Sequence, residues 1–146
     1  MKSKTIVLIL AMFSCVLTSQ SQITFDSMLF QFFTHYGEGK TDEAVDYIFS
    51  TNIHLEGATQ QISSIKEKLQ TITSLIGPYY GYEKVIQREA GNSFVSVCCM
   101  VRHERQPLFF TFVFYKPDLA WQIQTLRFDD KLEEDELKEL GNSVKK

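Results

Sequence analysis

The side chains able to move a proton are few and scattered. Asp26, His35 and Asp46 fall on predicted helices, His54 in a polar loop, and His103 at the end of a predicted strand. A carboxylate or imidazole desolvated inside a cavity can titrate near neutrality and serve as a general acid or base. Each of these residues also has a plainer use. Asp26 sits in a first helical turn, where negative charge is favourable, and His35 near a helix C-terminus, where a cation is. His54 reads as solvated, and His103 shares a charged turn with Arg102, Glu104 and Arg105. The histidines lack metal-ligand spacing, and no Ser-His-Asp order, HExxH, P-loop or GxGxxG occurs. The pattern therefore names no catalytic residues, no metal and no cofactor.

Cysteine chemistry is equally restrained. Cys98 and Cys99 are adjacent in a strand pattern, so their side chains point to opposite faces and cannot bridge to one another. Neither CxxC nor a Cys/His ligand spacing is present.

Aromatic residues are better candidates, for binding. The chain holds 12 Phe, 6 Tyr and 1 Trp. Tyr79, Tyr80 and Tyr82 cluster beside Gly77 and Gly81 where helix gives way to strand, and Phe110, Phe112 and Trp121 lie on strands. Together these six are the expected walls of a pocket, with phenols orienting a small apolar ligand. The same rings could instead pack a core shut.

Positioning them requires helices followed by a sheet. Helix one is expected from Thr24 to Tyr36, because Phe25, Met28, Leu29, Phe32, Phe33 and Tyr36 form one apolar stripe. Thr24 can cap it, and Gly37 fits the left-handed position after it. Helix two is expected from Asp42 to Phe49 with Thr41 as N-cap. Helix three starts near Gln60, carries Ile62, Ile65, Leu69, Ile72 and Ile76 on one face, and stops at Gly77-Pro78. Four strand patterns follow between Tyr82 and Phe128, separated by Gly91-Asn92, Glu104 to Pro107 and Lys116-Pro117-Asp118. Links this short imply an antiparallel meander.

Strict alternation places Leu108, Phe110, Phe112 and Phe114 on one face of strand three, and Phe109, Thr111, Val113 and Tyr115 on the other. In strand four it sets Gln122, Gln124, Leu126 and Phe128 against Trp121, Ile123, Thr125 and Arg127. A strand apolar on both faces needs cover on both. The helices can supply one cover; the chain's own tail, a second subunit or a ligand must supply the other. Residues 129–146 are strongly charged and read as a tail or a short amphipathic helix ending at Gly141.

The chain has 146 residues, 44% hydrophobic and 23% charged, which suits one globular domain. Residues 1–21 stand apart: Lys2 and Lys4 precede the apolar run Ile6 to Leu17 and the small polar Thr18 to Ser21, the layout of a secretory signal cleaved before Gln22. The run is short for a membrane span, so no membrane association is expected after cleavage. Lipidation at Cys15 is a competing route, although Phe13 fits a lipobox poorly. Losing the two lysines leaves 13 basic and 18 acidic residues, a formal charge of −5. With no basic, aromatic-interleaved patch, nucleic acid is excluded as an expected partner.

The paired helices 24–36 and 42–49, the helix ending LIGP at 75–78 and the strand run closing with WQIQTLRF together resemble the NTF2-like superfamily over residues 22–128, in particular its small exported bacterial members. That resemblance implies an α+β fold of three N-terminal helices packed on a curved four-stranded antiparallel sheet. It also implies a pocket between helices and sheet, and a homodimer through the sheet's other face. The expected function is a non-enzymatic exported domain, periplasmic or secreted, binding a small apolar ligand or a protein partner. The alternative is a lyase or isomerase of the ketosteroid-isomerase kind, with Asp26 or a histidine as base.

Overall fold

The computed structural model describes residues 23–143. The expected signal, its expected cleavage point and Cys15 fall outside the described residues.

Helix α1 runs Phe25–Gly37 and is capped at Thr24, whose Oγ1 accepts from Ser27 N at 3.2 Å while Ser27 Oγ accepts from Thr24 N at 3.0 Å. Its apolar stripe is buried at Met28, Leu29, Phe32, Phe33 and Tyr36. Gly37 does not take the expected left-handed position. It closes the helix, and Gly39, at φ 77°, makes the turn instead. Gly37 is small for another reason: a Cβ there would lie 2.7 Å from Tyr79 Cε1.

Helix α2 spans Thr41–Ser50. Thr41 is not the cap; it is buried inside the first turn, and Lys40 stands at the cap position without a side-chain cap bond. A single 3₁₀ turn, Ile53–Leu55, occupies the connection read as loop, and α3 follows over Thr59–Ile76.

The sheet comprises β1 (Tyr79–Ala90), β2 (Phe94–His103), β3 (Leu108–Tyr115) and β4 (Gln122–Asp129), antiparallel throughout and ordered β1-β2-β3-β4. The fold is thus α+β, with the N-terminal helices on one face of a curved, unclosed meander. β1 begins three residues earlier than the aromatic link suggested, and Tyr80 is the extra residue at its first irregularity.

Strand four departs from strict alternation. Val113 pairs with Thr125 but Phe114 pairs with Ile123, which leaves Gln124 as an extra residue. That bulge turns Ile123 and Leu126 to the same side, and both are buried. Two-residue periodicity could not anticipate it, because a bulge is set by cross-strand register.

Phe110, Phe112 and Phe114 face the helices; Phe110 and Phe112 meet Phe32 and Phe33 of α1, and Phe114 meets Phe25. The Phe32 ring lies edge-on to Phe33 at 5.1 Å and to Phe112 at 5.1 Å. Tyr82 stacks on Phe33 at 3.9 Å. Edge-to-face pairs of this kind stabilise by about 0.5–1.5 kcal/mol each beyond their area. The interior between helices and sheet is therefore filled by rings.

The opposite face is covered in part by the charged tail, which forms α4 over Glu134–Ser143 and reaches Arg88, Thr111 and Arg127, while Phe94 and Tyr115 on that face stay exposed. Cys98 lies on this outer side and Cys99 on the helix side, both buried and both free thiols.

Candidate functional site

Ring packing decides the fate of the six aromatic candidates. Phe110 and Phe112 are fully buried among other rings. Tyr79 is half-buried against Tyr36 and His103, Tyr82 is stacked on Phe33, and Tyr80 points outward with 58% of its surface exposed. Trp121 is the one of the six that lines the two hollows described next. Its ring packs edge-on to Phe25 at 5.3 Å, with the Lys116 ammonium 5.0 Å above it.

Trp121 stands between two hollows. The larger, about 570 Å³, is lined by Ile23 and Met28 around α1, by Tyr47, Ser50 and Thr51 at the end of α2, and by Leu119, Ala120 and Trp121 from the β3–β4 loop. The smaller, about 180 Å³, lies on its other side between Phe25, Val95 and the β1–β2 turn. Met28 is a buried floor, whereas Ile23 and Leu119 form an exposed rim, 62% and 69% accessible. Burial pushes the Tyr47 phenol up, as expected at an apolar wall.

The wall is held in place by polar bonds behind it. Ile123 lies on an edge strand, so its outward backbone groups have no further strand to pair with. Thr51 Oγ1 accepts from Ile123 N at 3.1 Å, and Asn52 Nδ2 donates to Ile123 O at 2.6 Å. The end of α2 is thereby fixed to the strand that follows Trp121. Ser50 Oγ donates to Tyr47 O and Thr51 Oγ1 to Ile48 O, so these two hydroxyls are committed to main chain, and the Tyr47 phenol is the third hydroxyl of the groove. The open surface is mainly apolar, suited to non-covalent binding.

The proton-moving candidates lie elsewhere. Asp26 pairs with Lys84 at 2.7 Å and Asp46 with Lys66 at 2.6 Å, both carboxylates exposed. His54 is exposed in the 3₁₀ turn. His35 sits half-buried near the end of α1, its Nε2 3.0 Å from Gln31 Nε2 and its Nδ1 3.5 Å from Glu43, too poorly aligned to bond. None of them lines the groove. An isomerase working on the groove's contents would need a proton acceptor there.

His103 corrects the sequence reading most clearly. It is buried, not part of a solvated charged turn. Its Nδ1 lies 2.8 Å from Gly77 O and its Nε2 2.9 Å from the Tyr36 hydroxyl. A carbonyl only accepts, so Nδ1 carries the proton and Tyr36 donates to Nε2. Burial pushes the Tyr36 phenol well up, consistent with a hydroxyl that stays a donor. This bridge ties α1 to the end of α3 and to β2.

Among the described residues no group of His, Cys, Asp or Glu is arranged to hold a metal ion, and no helix is long and apolar enough to cross a membrane. Sequence reasoning missed Ile23, Tyr47, Leu119 and Ala120. One signal was available: Leu119 is a large apolar residue just after the polar turn Lys116-Pro117-Asp118. Comparison with known protein families, curated proteins and solved structures finds no match to this chain.

Proposed function

We propose that this chain is an exported, non-enzymatic domain of the NTF2-like kind that binds a small apolar ligand in the groove between Met28, Tyr47, Leu119 and Trp121. The groove carries the reading. Its volume of about 570 Å³ falls in the range of roughly 300–1,000 Å³ typical of small-molecule sites. Its rim keeps Ile23 and Leu119 in water, a cost that a bound apolar molecule offsets. The order of three helices followed by an antiparallel meander supports the NTF2-like assignment, and the residues Lys2 to Ser21 support export.

Trp121 is the chain's one tryptophan, so its emission reports on the groove directly. Titration with dodecanol or aminoanthracene is expected to change that emission saturably. Leu119→Asp is expected to abolish the response without lowering the melting temperature, because Leu119 is exposed. Saturable binding that survives Leu119→Asp, or no saturable response to either probe, sinks the proposal.

A further inference from the structure

Two lysines are half-buried among the described residues, Lys66 and Lys116. Lys66 is answered by Asp46 at 2.6 Å. Lys116 meets no carboxylate among the described residues. Its backbone N donates to Ser93 O at 2.7 Å, which fixes the start of the β3–β4 loop, and its ammonium rests 5.0 Å from the centre of the Trp121 ring. Asp118, two residues along the same loop, is exposed and makes no ion pair with it. Taking an ammonium partly out of water without a carboxylate costs free energy, and a ring face offsets only part of that cost.

The ring under this cation is a wall of the apolar groove. On the larger side of Trp121 lie Ile23, Met28 and Leu119, a bed for an alkyl chain. On the smaller side lies Glu89, engaged by Gln87 Nε2 at 2.7 Å. A second negative charge beside Glu89 is repelled, so an anionic ligand favours the larger hollow. There the Ser50 and Thr51 hydroxyls already serve main-chain carbonyls.

We infer, on the reading of this groove as an apolar binding site, that its ligand is a free long-chain carboxylate: the alkyl chain lies on Ile23, Met28, Leu119 and Trp121, and the carboxylate accepts from Lys116 Nζ. One ammonium brings one positive charge and three rotatable donors, which matches a monoanionic head. The charged head also keeps the loop's cation paired when the chain covers the Trp121 ring.

Three twelve-carbon probes that differ only in the head group separate this from the groove reading itself: dodecanoate, dodecanol and dodecylamine, each titrated calorimetrically below its micelle concentration. The native chain is expected to bind dodecanoate and to discriminate against dodecylamine. Lys116→Met keeps the length and apolar stem of the side chain and removes its charge. It is expected to weaken dodecanoate about fivefold, the factor that a charge-assisted bond at a partly exposed site supplies, and to leave dodecanol unchanged. Lys116→Arg is expected to restore dodecanoate binding. If dodecanol binds but the affinity for dodecanoate ignores Lys116→Met, as it would with a head group held by the Tyr47 phenol, the inference falls and the groove reading stands. If none of the three binds, both fall. Retention on phosphatidylglycerol vesicles that depends on Lys116, with no binding of monomeric dodecanoate, assigns the cation to a membrane surface and overturns the inference as well.

Discussion

Asn52→Ala removes a buried amide that does two jobs. Its Nδ2 donates to Ile123 O at 2.6 Å, and its Oδ1 accepts from His54 N at 3.0 Å, starting the 3₁₀ turn. Ile123 is wholly buried, so the variant leaves its carbonyl without that donor and out of reach of water. A buried acceptor left unpaired costs about 1–3 kcal/mol, and the lost cap about 1 kcal/mol more. A total of about 2–4 kcal/mol follows, which lowers the melting temperature by roughly 8–16 °C in a domain of this size. Urea unfolding followed by far-ultraviolet dichroism measures it, with the denaturant slope unchanged. Thr51→Val withdraws the acceptor that serves Ile123 N, at a cost of about 1–3 kcal/mol. The double variant should lose less than the sum, because both changes free the same edge of β4 from α2. A loss below about 1 kcal/mol for Asn52→Ala, or strict additivity, would show that the end of α2 does not hold this strand.

Phe32→Ala empties the centre of the ring cluster, where Phe32 meets Phe33, Tyr36, Phe110 and Phe112, and should cost about 3–5 kcal/mol in urea unfolding. A cost under about 2 kcal/mol would mean that the interior collapses around the gap. Burial pushes the thiols of Cys98 and Cys99 up to about 11 and about 12. The unfolded thiol ionises first, so this stability is whole below about pH 9 and drains away as pH rises through the folded values. At pH 10 the share from Cys99 is about 1.4 kcal/mol, and Cys99→Ala should shrink the fall in stability between pH 8 and pH 10 by about that much. Equal slopes in the native chain and the variant would contradict a protonated, buried Cys99.

Local rules carried much of the architecture. The Thr24–Ser27 cap, the apolar stripe from Phe25 to Tyr36, the stop at Gly77-Pro78 and the four strand runs are all written in residues a few positions apart. The divergence of Cys98 and Cys99 follows from strand geometry alone. Choices among local alternatives were less legible. Gly37 and Gly39 can both follow a helix, and only the ring of Tyr79, forty-two residues after Gly37, explains why Gly37 stays inside α1.

The candidate groove was the least legible feature, because its walls meet only in the folded chain. Ile23, Tyr47, Leu119 and Trp121 come from three separate stretches, and no periodicity links them. His103 looked solvated among charged neighbours until Tyr36 and Gly77 were brought to its two nitrogens. The sequence by itself determined the elements, their order and the two-sided apolar character of β3, since these depend on side-chain spacing along one backbone. Tertiary structure alone decided three things: the bulge at Gln124, the filling of the helix side by rings, and the docking of α4 on Arg88 and Arg127. Each depends on register and distance between segments far apart in the chain, quantities that spacing along one strand or helix does not contain.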